Sequence, residues 1–143
     1  MPEVRRTIVI ERPPDQVFAF LTDPANDHRW RRHVKEISAS GPLRRGSVVH
    51  QVVRGPAGRG IRADFEVTAF EPPTRFAFNV TAGPVRPVGE FLFRPVGTGT
   101  EVTFSLRAEL GGLKKLLMSR PVQSSMDSEA ASLDTAKSLI ERE

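Results

Sequence analysis

The sequence predicts a single α+β domain: a curved antiparallel β-sheet wrapped around one long C-terminal helix, with two short helices after the first strand. Three observations predict it. Ile61–Phe70 and Thr100–Leu110 alternate apolar and polar side chains at period two, as half-buried strands do. Val122, Met126, Ala130, Leu133, Ala136 and Ile140 form a stripe at helical spacing. Strands joined by short turns must pair antiparallel, and that last helix is the large element left to cover their apolar faces.

The elements follow in order. Val4–Glu11 reads as a strand, with Val4, Ile8 and Ile10 sharing one parity and Arg6 breaking it. Pro13 ends it, and Pro14 opens a helix, where its missing N–H does no harm and Asp15 suits the positive helix end. Val17, Phe18, Phe20 and Leu21 make that helix apolar on one side. Asp23-Pro24 starts a second helix, Asp as N-cap and Pro at N1, running to about Arg31. Strands follow at Val34–Ser40, Ser47–Arg54 and Ile61–Phe70, separated by Gly41-Pro42 and by a turn from Gly55 to Gly58. In Ile61–Phe70, Ile61, Ala63, Phe65, Val67 and Ala69 face one way, and Arg62, Asp64, Glu66 and Thr68 read as solvent-facing. A strand through Phe76, Phe78 and Val80 comes next, then a Gly83–Pro87 loop. A strand carrying Phe91 and Phe93 stops at the Gly97-Thr98-Gly99 turn. After Thr100–Leu110, Gly111-Gly112 breaks the chain ahead of helical residues, and Pro121 is expected to interrupt or restart the helix. The Ser124, Ser125, Ser128, Ser132, Thr135 and Ser138 side reads as exposed surface.

Composition excludes several function classes. A chain of 143 residues fits one domain, taken here as residues 1–143, and can build a core without staples. Without cysteine there is no disulfide framework and no thiol chemistry. No apolar run approaches the ~20 residues of a membrane span, and Met1–Pro14 is unlike a signal peptide, so a soluble cytoplasmic protein without stable membrane insertion is expected. The net charge of +4 is modest; the high pI reflects 17 Arg against 4 Lys and no tyrosine. The basic run His28–Lys35 reads as a solvated helix end, and no nucleic-acid partner is expected. His28 and His33 lie about 140° apart around a helix and cannot share a metal, so no metal is expected. Neither a P-loop, a dinucleotide fingerprint nor a G-x-S-x-G elbow occurs, and no cofactor is expected.

Several stretches carry a family resemblance. Arg12-Pro13-Pro14-Asp15-Gln16-Val17-Phe18 through Asp23-Pro24 looks like the opening segment of the START-like, helix-grip proteins, with Trp30 where members often carry an aromatic. Arg45-Gly46-Ser47-Val48-Val49, Phe65–Arg75 with its Glu71-Pro72-Pro73, and Gly97–Phe104 resemble further elements of the same superfamily. The resemblance spans essentially the whole chain and is to small bacterial members of the polyketide cyclase/dehydrase-like (SRPBCC) group. It implies a helix-grip fold with a mostly apolar cavity between sheet and C-terminal helix, and a hydrophobic ligand such as a lipid, sterol or polyketide. The fold hosts carriers, receptors and cyclases alike, so it does not choose among functions.

The residues agree on a lining. Phe65, Val67, Phe76, Phe78, Phe91, Phe93, Phe104 and Leu106 come from the sheet, and Met118, Val122, Met126 and Ala130 from the helix. The same side chains equally suit a dry core, but phenylalanines facing a small residue such as Ala130 leave room for a pocket. Trp30 is expected at the cavity end closed by the short helices, its indole N–H on a polar rim. His50 shares a parity with Val48 and Val52; Val49, Gln51 and Val53 form an equally apolar set, and alternation does not choose between them. If the first set faces inward, His50 is a ligand contact and the foremost catalytic candidate; His28 and His33 flank an exposed helix end. The leading expectation is a hydrophobic ligand carrier, monomeric or homodimeric, without chemistry of its own. The alternatives are a cyclase/dehydratase-like enzyme using His50 or an inward arginine, and an interaction module using the His28–Lys35 surface.

Overall fold

The computed structural model describes residues 2–143, with the side chains of all of these except 56 and 112–118. Strand β1 (Glu3–Ile10) leads through Pro13 into α1 (Pro14–Leu21). The second helical segment is divided. Asp23 accepts a hydrogen bond from the Ala25 N–H at 3.0 Å and caps a 3-10 turn over Pro24–Asn26, and α2 (Asp27–Trp30) follows as one α-helical turn. Strands β2 (Val34–Ser38), β3 (Val48–Arg54), β4 (Gly60–Arg62), β5 (Phe65–Glu71), β6 (Arg75–Val80), β7 (Val88–Val96) and β8 (Gly99–Arg107) then precede α3 (Gly112–Glu141). The strands form one antiparallel sheet in the order β1-β8-β7-β6-β5-β3-β2, with β4 attached to β3.

The continuous strand expected over Ile61–Phe70 is interrupted at Ala63-Asp64. Register is kept across the break: Val52 faces Arg62 on one side of it and Val49 faces Phe65 on the other. At the break one backbone bond remains, from the Ala63 N–H to the Gln51 carbonyl at 2.9 Å, and side chains take over the rest. The Asp64 carboxylate accepts from the Gln51 N–H at 3.1 Å, and Gln51 Nε2 donates to the Ala63 carbonyl at 2.9 Å. Asp64 is therefore buried rather than solvent-facing. Burial works against its ionisation, but hydrogen bonds from Arg62, His50 and the Gln51 N–H hold the carboxyl below the usual range.

The core lies between the concave sheet face and α3. Val122, Met126, Ala130, Leu133, Ala136 and Ile140 are all buried there, as their spacing requires. α1 plugs one end, with the Phe18 ring edge-on to Phe70 and Phe93 at 5.3 and 5.0 Å between centroids. α3 is continuous through Pro121, which sits on its exposed side, so the expected restart does not occur. The helix also lies along the free edge of β1. Gln123 pairs with the Glu3 backbone, Arg6 donates to the Ala130 carbonyl, Lys137 to the Val9 carbonyl, and Glu141 accepts from the Glu11 N–H. All of these except the Arg6 bond occupy backbone groups that an open edge strand would present to other chains. Arg6, the residue that broke the apolar parity of β1, is thus a tether to α3.

Candidate functional site

Between the N-terminal half of α3 and the sheet lies a cavity of about 660 Å³. Phe65, Phe76, Phe78, Phe91, Phe104 and Leu106 form its sheet wall, and Val122 and Met126 its helix wall. These fall on adjacent strands because ladder partners share a face: Phe91 pairs with Phe104 and with Phe76. The Phe91 and Phe104 rings stand 4.6 Å apart. The cavity ends where α3 packs directly on the sheet.

Three expected lining residues lie beyond that end, within the packed core. Val67 is fully covered, Phe93 is covered by the Phe18 ring of α1, and Ala130 lies where the helix already touches the sheet. Met118 lies outside the residues whose side chains are described. Trp30 does line the cavity, 3% exposed, but its expected polar contact is missing: Nε1 is buried with no hydrogen-bond partner among the described residues.

His50 is outside. Its side chain is 68% exposed and its Nδ1 lies 3.2 Å from Asp64 Oδ2. The reason is pairing. Val49 stands opposite Phe65, whose ring points inward, so Val49 and Gln51 share that face and His50 takes the other. Two polar residues of β3 reach the cavity, Gln51 at its wall and Arg54 at its mouth.

The cavity's polar wall is built from residues that the sequence reading placed elsewhere or passed over. Arg31 is buried beneath α2 and joins three elements. Its Nε and Nη2 donate to the two Glu129 oxygens of α3 at 2.7 and 2.9 Å. Its Nη1 donates to Asp27 Oδ2 at 2.8 Å and to Gln51 Oε1 at 3.1 Å. His33 Nε2 shares Glu129 Oε2. All five side chains line the cavity. The basic run is therefore not simply solvated, and His33 is half-buried instead of flanking an exposed helix end. Burial pushes the Glu129 carboxyl up, but the Arg31 charge and the hydrogen bonds from His33 and Arg31 outweigh it and hold it down at about 2. Burial would lower the Arg31 guanidinium, yet Glu129 and Asp27 raise it further. Asp27 itself is raised, because burial exceeds what Arg31 returns.

A sequence signal for this cluster existed. Glu129 stands seven residues after Val122 and three after Met126, which puts a carboxylate on the apolar stripe of the helix. A charge on a buried stripe calls for a buried partner of opposite sign.

The cavity opens between the β3–β4 turn, the 83–87 loop and α3. Arg54 and Arg62 lie at this mouth with Pro84, Val85 and the exposed Ser124, Ser125 and Ser128. Among the described residues no group of three or more His, Asp or Glu is placed to hold a metal, and no helix is long and apolar enough to cross a membrane.

The same architecture recurs in solved structures. The protein TTHA0849 of Thermus thermophilus superimposes with a TM-score of 0.81 at 23% identity, over 97% of each chain. Ara h 8.0201 does so with a TM-score of 0.76 at 10% identity, over 99% of this chain and 98% of that one. The di-domain ARO/CYC BexL from the BE-7585A biosynthetic pathway matches at 0.70 and 15% identity, over 98% of this chain and 48% of BexL. These likenesses establish the helix-grip fold. In sequence, the chain is 29% identical over 114 residues to the Mycobacterium tuberculosis protein Rv2574, a match covering 76% of this chain and 66% of that relative. The chain thus spans just under two thirds of the mycobacterial relatives it matches. Residues 1–136 match a family as a whole, and the chain belongs to the polyketide cyclase / dehydrase and lipid transport family.

Proposed function

We propose that the protein binds a hydrophobic small molecule in the cavity between sheet and α3 and acts as its carrier. The supporting observation is the cavity itself: about 660 Å³, walled by phenylalanine, leucine, valine and methionine, with its polar groups gathered mainly in one buried cluster and at the mouth. Small-molecule sites have this size and this balance of apolar wall to few polar groups. Native mass spectrometry of the purified chain, together with titration of neutral hydrophobic probes against Trp30 emission, tests the reading. A retained lipid-like mass or a saturable emission change supports it. A protein that carries nothing and responds to no probe refutes it.

One observation favours a second reading, a cyclase- or dehydratase-like enzyme. Such chemistry needs a positioned acid or base inside the cavity, and the His33–Glu129 pair at the cavity wall provides a group able to pass a proton. Under this reading His33→Ala removes turnover of a polyketide-like substrate while binding persists. Turnover insensitive to His33→Ala ends it.

A further inference from the structure

The polar wall of the cavity is already charge-compensated, and this restricts what can dock against it. Arg31 spends four of its five N–H donors on two carboxylates and an amide: both Glu129 oxygens, Asp27 Oδ2 and Gln51 Oε1. With both carboxylates ionised the cluster carries one net negative charge when His33 is neutral, and none when His33 is cationic. A carboxylate head arriving here must either displace Glu129 from Arg31 or lie beside two carboxylates with no cation to spare. Both are unfavourable where water is scarce. A neutral oxygen brings no charge and leaves every pair of the cluster in place. Trp30 belongs to the same wall, and its indole N–H, without a hydrogen-bond partner among the described residues, is covered rather than open to the cavity.

We infer that the cavity selects a neutral ligand, an apolar body bearing a hydroxyl or carbonyl oxygen, over the same body ending in a carboxylate. This rests on the binding reading above. The other charges near the cavity are at its mouth. Arg62 is held by Asp64 at 2.7 Å, and Arg54 is exposed on the rim. A carboxylate docked at the rim beside Arg54 would leave the Arg31–Glu129 cluster untouched, and the experiment separates that arrangement.

The test compares dodecan-1-ol with dodecanoate on the full chain at neutral pH, below the concentrations at which either self-associates. Calorimetry and Trp30 emission are the readouts, and the neutral dye Nile red is the independent cavity probe. The wild type is expected to bind the alcohol at least about tenfold more tightly, a difference of about 1.4 kcal/mol. Glu129→Gln, which leaves Arg31 one carboxylate short, is expected to narrow or reverse that preference; circular dichroism verifies its fold. The wild-type comparison stands without any variant. Equal or tighter binding of dodecanoate overturns the inference, and its loss on Arg54→Ala would locate the anion at the rim. A preference unchanged in folded Glu129→Gln overturns it as well. If Nile red binds and neither dodecyl compound does, the inference falls alone. If Nile red also fails, the binding reading falls with it.

Discussion

Glu129→Gln is the substitution whose consequence can be worked most fully from the structure. Glu129 and Arg31 are mostly buried, their side chains 20% and 10% exposed, and they meet through two hydrogen bonds. Folding lowers the Glu129 carboxyl from its ordinary 4.5 to about 2. A carboxyl that is more acidic when folded stabilises the fold above its unfolded value, and that stability drains away as pH falls through the folded value. The contribution is therefore complete above about 4.5 and is lost toward about 2. At about 1.4 kcal/mol per pH unit the full drop corresponds to about 3 kcal/mol. Removing one partner of a buried pair costs about 3–5 kcal/mol by a separate route, and the two figures agree. Urea unfolding of wild type and Glu129→Gln across the acid range is the assay, read as the difference between the two curves. Subtraction cancels titrations the two proteins share. The difference is expected to be about 3 kcal/mol at neutral pH and to shrink steadily as pH falls below the ordinary carboxylate range. A neutral-pH difference under about 1 kcal/mol, the scale of an exposed pair, would refute the reasoning. So would a difference that stays flat with pH.

Four further variants have expected outcomes. A chain ending at Arg120 loses the buried Val122, Met126, Leu133 and Ile140; at roughly 1.5–3 kcal/mol each this rivals a domain's total stability, so the truncated chain should lack a cooperative thermal melt. At Gly89 an added Cβ would lie 2.3 Å from the Phe78 ring, which rests on the glycine; Gly89→Ala should cost about 1–3 kcal/mol in urea unfolding and, by pushing Phe78 toward the cavity, weaken Nile red binding. His50→Ala removes one of several hydrogen bonds to the buried Asp64 carboxylate, but from a ring that is 68% exposed and that water can replace, so it should cost at most about 1 kcal/mol and leave ligand binding unaltered, whereas His33→Ala, which removes a hydrogen bond to Glu129 from a ring only 18% exposed, should cost about 1.5–3 kcal/mol.

Much of the fold was legible along the chain because its signals are local. The Asp23-Pro24 cap, the Gly97–Gly99 turn, the alternation in Thr100–Leu110 and the stripe from Val122 to Ile140 each depend on neighbours within a few residues, and each appears in the structure at its place. Most of the apolar cavity wall follows from the same signals, since alternation puts Phe65, Phe76, Phe78, Phe91 and Phe104 on inward faces. Pairing between strands is not local, and it decided the rest. Only the register of Val49 opposite Phe65 turns Gln51 inward and His50 out to solvent. Only the placement of α2 against α3 brings Arg31 to Glu129, residues nearly a hundred positions apart, and draws Arg31 and His33 out of an otherwise exposed basic run into a buried ion cluster. Where the cavity stops is a tertiary matter as well. Val67, Phe93 and Ala130 share the chemistry of the lining residues and differ from them only in what lies above: a neighbouring ring or a helix already in contact. A sequence determines which face of an element is apolar, because that depends on periodicity. Whether that face meets empty space or another side chain depends on how elements far apart in the chain are held together.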